Sequence, residues 1–135
     1  MSLIRRRLFL LKSNFHGCNC LIMKLSIVII FHNMQREARR TLFSLSTQYQ
    51  RSLLSEDYEV IAIDNGSEQT LDPDFISGLG PQFSYHFYAT DDVSPVKALN
   101  WGIEQATGDY VALIVDGARM ASPGLIARSQ EALSI

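Results

Sequence analysis

The sequence predicts an α/β fold in which an open parallel sheet carries helices on both faces. Three observations lead to this prediction. Apolar, β-branched segments alternate along the chain with segments of helical periodicity. Two of the apolar segments, residues 25–31 and 110–115, are almost continuously apolar, as expected of strands that are buried on both faces. Polar turns follow these segments, at the positions where a parallel sheet places its loops.

The first part of the domain contains three predicted strands and a helix. Leu25–Phe31 is the first strand, and Tyr58–Ile63 is the second. Between them, apolar residues recur at spacings of 4, 3 and 4 and predict an amphipathic helix through Ala38, Leu42, Leu45 and Tyr49. Residues 65–82 are rich in Gly, Ser, Asp and Pro and predict a loop with at most a short helix around Pro73–Leu79. The alternating segment Phe83–Tyr88 is the third predicted strand.

Two more helices and a fourth strand are predicted in the remainder of the chain. Ser94 is expected to be the N-cap of a helix with Pro95 as its first residue, and Gly108 is expected to cap its C-terminus. Tyr110–Val115 is the fourth strand. Ser122-Pro123 repeats the helix-start pattern, so a last helix should run toward residue 135.

The charges divide the chain into two regions. Residues 1–24 contain 5 basic and no acidic residues, whereas the remainder contains 7 basic and 14 acidic residues. We therefore expect a basic, poorly ordered extension over residues 1–23 and a single domain over residues 24–135. The overall net charge of −2 indicates no nucleic-acid partner. No apolar run approaches the roughly 18 residues that a membrane span needs, so membrane association should be peripheral at most.

Several common sites are excluded by their missing motifs. The two cysteines, Cys18 and Cys20, are too few for a structural zinc site or a disulfide framework, and a cytoplasmic location is therefore expected. The sequence has no phosphate-binding P-loop motif. Gly78-Leu79-Gly80 precedes a strand instead of a helix, which is the wrong context for a dinucleotide fingerprint. No nucleophile elbow is present.

Polar residues instead collect where the predicted strands end. Parallel strands place all their carboxyl ends at one edge of the sheet, where open α/β folds bind ligands. The residues at these four ends are His32 and Asn33, Asp64 and Asn65, Asp91 and Asp92, and Asp116. Any one of them is more often a turn residue than a ligand contact, but their joint placement favours a ligand crevice.

Three segments carry a resemblance to a known family. Within residues 24–48, the predicted strand ends in a His-Asn pair, which is similar to an aromatic-Asn pair. The helix that follows ends in a Ser-Leu-x-x-Gln pattern, whose last residue is Gln48. Residues 58–67 contain Ile-Asp-Asn-Gly-Ser, and residues 97–124 contain Ala-x-Asn-x-Gly followed by Ala-x-Gly-x-Tyr. Together these motifs resemble the N-terminal half of the family 2 glycosyltransferases, which are inverting enzymes of the Rossmann-like GT-A fold that use nucleotide sugars.

The resemblance implies a nucleotide-sugar donor site. Asp64 would contact the base or ribose of the nucleotide, and Asp116 would lie near the diphosphate. Lys97, at the start of a helix, would contact the diphosphate or the base side. The other residues that the resemblance places in the substrate site are Asn33, Glu37, Asn65, Asn100 and Arg119.

The chain departs from the family pattern at the metal site and in its length. The family's fourth strand ends in Asp-x-Asp, which binds Mg²⁺ or Mn²⁺; here Asp116 remains as the candidate metal ligand, and Ala118 replaces the second carboxylate. This replacement weakens the expectation of a divalent metal, and Arg119 could neutralise a diphosphate in its place. The family's acceptor half and catalytic base lie further along the chain. The sequence therefore predicts the donor-binding half of a larger, truncated enzyme, with an unknown acceptor (a glycan, a lipid or a small molecule) and no assigned catalytic residue.

Two other functions fit parts of the same pattern. A nucleotide-binding module without transferase activity would explain the missing carboxylate and the missing acceptor half. An unrelated flavodoxin-like signalling or structural domain would use the acidic strand ends for other purposes.

Overall fold

The structure is a computed structural model that describes residues 23–115 and 117–134. Apart from Met23, the expected N-terminal extension lies outside the described residues. Within the described part, the strands are β1 (Leu25–Phe31), β2 (Tyr58–Asn65), β3 (Phe83–Tyr88) and β4 (Tyr110–Ile114). They form one four-stranded sheet in the order β3-β2-β1-β4, and every neighbouring pair is parallel.

Helices alternate with these strands along the chain, and they lie on both faces of the sheet. They are α1 (Gln35–Ser44), α2 (Pro73–Gly78), α3 (Val96–Gln105) and α4 (Leu125–Leu133). The predicted α/β architecture is therefore confirmed. Among the described helices, none is long and apolar enough to cross a membrane.

Two apolar layers hold the helices against the sheet. Ile29 of β1 belongs to the layer that contains buried residues of α1, α2 and α4, whereas its neighbour Val28 belongs to the layer that contains Ala98 of α3. Successive residues of a strand point to opposite faces, which is why one strand contributes to both layers. Every residue of β1 is buried as a result. The almost continuous apolar pattern of this segment follows from its central position in the sheet.

The first helix ends earlier than its apolar spacing predicts. The expected helix through Tyr49 stops at Ser44, where the Ser44 hydroxyl donates to the Thr41 carbonyl at 2.6 Å. Ser46 donates in the same way to the Phe43 carbonyl at 2.7 Å. Such bonds compete with the helical hydrogen-bond pattern and favour turns.

The predicted caps of the later helices also need correction. The third helix begins at Val96, with Pro95 as its N-cap residue, although the Ser94 hydroxyl still accepts from the Val96 N–H at 3.4 Å. Its C-cap is Ala106 and not Gly108. The last helix begins at Leu125, two residues after the predicted Ser-Pro start, because Gly124 takes the N-cap position with φ +85°.

Gly108 belongs to a hydrogen-bond network that fastens the amino-terminal edge of the sheet. A Glu59 carboxylate oxygen accepts from the Ser26 hydroxyl and from the Thr107 N–H, the latter at 2.7 Å. The Gly108 N–H donates to the Ser26 hydroxyl at 2.8 Å. A Cβ on Gly108 would lie 2.7 Å from both the Lys24 carbonyl oxygen and the Ser26 hydroxyl. The Ala-x-Gly-x-Tyr motif thus closes the sheet at the edge opposite the predicted ligand crevice.

The Glu59 network should make stability depend on pH in the acid range. Burial is the largest single influence on the pKa of Glu59 and raises it, but hydrogen bonds from Ser26 and Thr107 and the charge of Lys24 together outweigh burial and hold the pKa below its ordinary value. A depressed folded-state pKa stabilises the fold above the unfolded pKa, and this stabilisation disappears as the pH falls through the folded pKa.

We expect Glu59→Gln to lower the free energy of unfolding at neutral pH by about 1–3 kcal/mol. The difference in the free energy of unfolding between the variant and the wild type should narrow as the pH falls from about 5 to about 3, because the wild-type carboxylate then becomes protonated. Urea titrations of both proteins across this range measure this difference. A difference in the free energy of unfolding that stays constant across this pH range would show that the Glu59 charge does not stabilise the fold.

Candidate functional site

The carboxyl ends of the strands meet at one edge of the sheet. Phe31 at the end of β1 pairs with Asp64 of β2, and Asp64 pairs with Phe87 of β3. β4 pairs with the other side of β1, so the segment after Ile114 leaves from the same edge. Three of the four predicted polar clusters are therefore brought to this edge. The fourth, Asp116, lies outside the described residues.

His32 and Asn33 connect the end of β1 to the turn after β2. The Asn33 backbone N–H donates to the Ser67 hydroxyl at 2.8 Å, and the Asn33 side-chain oxygen accepts from the Glu68 N–H at 3.0 Å. His32 Nδ1 lies 2.8 Å from the Asn65 carbonyl oxygen, so this nitrogen carries the proton. Asn33 has φ 51°, a left-handed conformation that asparagine tolerates better than most residues. These bonds give the two strand ends one fixed geometry.

Asp64 is completely buried beneath the turn that follows it. One carboxylate oxygen accepts from the Ser67 N–H at 3.2 Å, and the other accepts from the Leu71 N–H at 3.0 Å. The Tyr85 hydroxyl lies 3.5 Å from the second oxygen. Burial and, after it, the negative charge of Asp64 raise the pKa of Tyr85. In this conformation the Asp64 carboxylate organises the loop over residues 65–71.

Asn65 and Gly66 bring the turn after β2 against the segment after β3. Asn65 is buried, and its Nδ2 lies 3.5 Å from the Asp92 carbonyl oxygen. Among the described residues, no group donates a hydrogen bond to Asn65 Oδ1. Gly66 has φ +66°, and a Cβ at this position would lie 2.2 Å from the Thr90 carbonyl oxygen. The close approach of the two segments therefore depends on glycine.

The first turn of α3 contributes a cation to this edge. Lys97 Nζ lies 3.2 Å from Asp92 Oδ2, and both side chains are substantially exposed. The pKa of Asp92 is lowered, first by a hydrogen bond from the Ser94 N–H and then by Lys97. Asn100 lies further along α3 and is exposed.

The remaining predicted site residues lie around the same edge. Asn33 lines a shallow hollow of about 230 Å³ together with Gln35, Glu68 and Gln69. Glu37 is half-buried in the first turn of α1, and Arg119 is exposed in the segment after β4. Asp64 does not line this hollow.

The described residues alone offer no carboxylate cluster for a divalent metal, and the candidate ligand Asp116 lies outside them. Mg²⁺ and Mn²⁺ prefer clustered carboxylates, and residues 23–115 and 117–134 hold no group of three or more His, Cys, Asp or Glu side chains that could bind an ion. Ala118 has no donor atom at the position where the family pattern has its second carboxylate. We therefore assign no chemical step to a metal ion.

Three residues with clear structural roles were missed by sequence analysis. Ser67 and Tyr85 bind the strand-end turns, and Gln50 is the buried glutamine after α1, whereas Gln48, which matches the family pattern, is exposed. The Ser in Asp-Asn-Gly-Ser is a typical turn residue and could have been singled out on that basis. The two glutamines are two positions apart, and nothing in the local sequence distinguishes them.

The fold is similar to that of several solved glycosyltransferase structures. S. aureus TarS, residues 1–349, superimposes with a TM-score of 0.70 at 22% sequence identity, covering 81% of this chain and 32% of TarS. A crystal structure of the same TarS segment in complex with UDP superimposes with a TM-score of 0.68 at 20% identity, covering 81% of this chain and 31% of that one. At these identities the comparison shows the fold, which is GT-A-like.

The sequence comparison shows the family. Residues 26–116 match the family described as Glycosyl transferase family 2, and the chain belongs to this family. An uncharacterized glycosyltransferase of Mycobacterium tuberculosis, found in strain H37Rv and in strain CDC 1551, is 31% identical over 109 residues. The matched region covers 81% of this chain and 39% of that relative. The predicted family resemblance is confirmed, and the chain spans well under half the length of the curated relatives that it matches.

Proposed function

We propose that this chain is the donor-binding part of a glycosyltransferase that transfers a sugar, with inversion, from a nucleotide-diphosphate sugar to an acceptor. The observation that supports this proposal most is the family match over residues 26–116, which includes all four strand ends of the sheet. In an inverting transfer, the acceptor oxygen forms a bond to the anomeric carbon while the bond to the diphosphate breaks on the opposite face. The acceptor proton then passes to a base, for which the described residues provide no candidate.

We assign the nucleoside to the turn after β2. Asp64 holds this turn in shape through the Ser67 and Leu71 amides, and it remains our proposed determinant of base or ribose binding. A buried oxygen without a hydrogen bond costs about 1–3 kcal/mol, and a base N–H or a ribose hydroxyl that reached Asn65 Oδ1 would remove this cost. The hollow beside Asn33 adds space at the same edge.

We assign the diphosphate to the region between α3 and the segment after β4. The amino terminus of a ten-residue helix favours an anion, and Lys97 in its first turn adds a positive charge. Arg119 carries a guanidinium, which can bind two phosphate oxygens at once. Asp116 would lie next to this region. Lys97 would exchange its contact with Asp92 for a phosphate oxygen.

A nucleotide-binding module without transferase activity is the second candidate. Asp116-Gly117-Ala118-Arg119, in place of an Asp-x-Asp pattern, favours it, because the carboxylates that would bind the donor's metal are reduced to one. This candidate predicts the same nucleotide affinity without consumption of the donor sugar.

Calorimetry with UDP, GDP and their sugar conjugates, with and without Mn²⁺, tests the two candidates. UDP is the first probe because TarS was crystallised with it. We expect a dissociation constant of about 10⁻⁶ to 10⁻³ M for one of the nucleotides. Binding together with slow hydrolysis of the donor would support the transferase, and binding alone would support the module. Failure of the 135-residue chain to bind any of these ligands would contradict both candidates.

A further inference from the structure

The segment after β4 is fastened to the end of α1 by buried polar groups. This segment, residues 117–124, carries Arg119 and follows directly after Asp116. Gly117 is buried against the Phe31 ring, where a Cβ would lie 2.3 Å from a ring carbon. The segment therefore starts in close contact with the end of β1.

Gln50 makes most of the remaining attachments. Its Nε2 donates to the Ser44 carbonyl at 2.7 Å and to the Ser122 carbonyl at 3.0 Å. Its Oε1 accepts from the Gly124 N–H at 3.0 Å and lies 3.5 Å from the Ile126 nitrogen. The side chain is 6% exposed. A buried amide with both donor bonds and acceptor bonds made to backbone atoms holds the segment in one position.

Ser44 adds a second attachment from the same helix end. The Ala121 N–H donates to the Ser44 hydroxyl at 2.8 Å, and this hydroxyl donates onward to the Thr41 carbonyl at 2.6 Å. Ser44 is fully buried. Ser44 and Gln50 thus bind the backbone at residues 121, 122 and 124, on the far side of Arg119 from the Gly117 contact.

We infer that Gln50 and Ser44 are positioning residues for the diphosphate side of the donor site. They hold the 117–124 segment, and with it Arg119, at a set distance from the turn that we assign to the nucleoside. This inference rests on the proposed donor-binding function. A role in stability alone would lower affinity for every ligand through unfolding, whereas a positioning role should weaken diphosphate binding and spare the nucleoside.

The test compares UDP with uridine on the 135-residue chain, or GDP with guanosine if the calorimetric screen selects guanine. The variants are Gln50→Glu, which keeps the length and the acceptor Oε1 but replaces the donor Nε2 with a second oxygen and so loses both donor bonds, and Ser44→Ala, which removes a single hydroxyl. Glu59→Gln is the matched control, because it breaks a hydrogen-bond network at the opposite edge of the sheet. Circular dichroism checks that each variant is folded at the temperature of measurement.

We expect the preference for UDP over uridine to fall about tenfold in both variants, equivalent to about 1.4 kcal/mol, with uridine affinity within about twofold of wild type. The Glu59→Gln control should keep the wild-type preference. An unchanged preference in folded Gln50→Glu and Ser44→Ala, or an equal loss for both ligands, would overturn the positioning role while leaving the donor-binding proposal intact. A wild-type chain that binds neither ligand would instead overturn the proposed function itself. If Gln50→Glu does not fold, Ser44→Ala decides the outcome.

Discussion

Asp64→Asn is expected to lower the free energy of unfolding by about 2–4 kcal/mol and to abolish nucleotide binding. The two carboxylate oxygens accept from the Ser67 and Leu71 amides in a fully buried position. An asparagine offers one oxygen and one NH₂ group, so one of these amides would face another donor in either orientation of the side chain. The loop over residues 65–71 would lose its internal support, and the turn proposed to bind the nucleoside would lose its shape.

Asp91→Asn is the matched control for this substitution. It removes the same charge from an exposed residue at the same edge of the sheet, and it should change the free energy of unfolding by less than about 0.5 kcal/mol. Guanidinium titrations give the stabilities, and calorimetry gives the nucleotide affinities. A stable Asp64→Asn variant with unchanged affinity would show that the carboxylate neither orders the loop nor contributes to the proposed nucleoside site.

The sheet was predictable because its central strands have few structural alternatives. Leu25–Phe31 is apolar except for Ser26, has β-branched residues at positions 27–30 and is buried on both faces, so local pattern and tertiary environment agree. Helix ends were less predictable because they depend on single hydrogen bonds. The Ser44 hydroxyl could face a carbonyl in a turn or remain within a helix, and only the packed structure selects the turn.

The candidate site was predictable as a place but not as a set of contacts. Parallel topology alone brings the ends of β1, β2 and β3 to one edge, so Asn33 and Asp64 could be assigned to a common region. The burial of Asp64 could not be predicted, because it depends on the path of residues 65–71 and on Tyr85 from a different strand. Gln50 shows the same limit, since its partners Ser122 and Gly124 lie more than 70 positions along the chain.

The family motifs in this chain combine structural roles with the proposed ligand binding. Gly108 and Glu59 close the amino-terminal edge of the sheet, and no ligand is needed to explain them. Asn33 has defined hydrogen bonds to Ser67 and Glu68 and also lines the hollow at the carboxyl edge. A single substitution at Asn33 would therefore alter both the stability of the fold and the shape of the candidate site. To separate these two effects, each test variant needs a matched control variant.

Gly66→Ala is expected to destabilise the fold by about 2–4 kcal/mol and to disrupt the carboxyl edge. Gly66 has φ +66°, and the added Cβ would lie 2.2 Å from the Thr90 carbonyl oxygen. Because the atom in contact is the backbone oxygen of Thr90, relieving the clash requires moving the backbone of the segment that leads to Asp92 and Lys97. Nucleotide affinity should therefore fall even under conditions in which the variant remains folded.

Gly78→Ala provides the matched control for this prediction. Gly78 is the last residue of α2, and a Cβ there would meet no atom within 4 Å. Alanine favours helix over glycine by about 0.5–1 kcal/mol, so this variant should be as stable as the wild type or slightly more stable, with unchanged nucleotide affinity. Parallel denaturant titrations of both variants measure the difference. If Gly66→Ala and Gly78→Ala unfold at the same denaturant concentration, the turn after β2 has room for a side chain. The close contact with Thr90 would then not be what shapes this edge of the sheet.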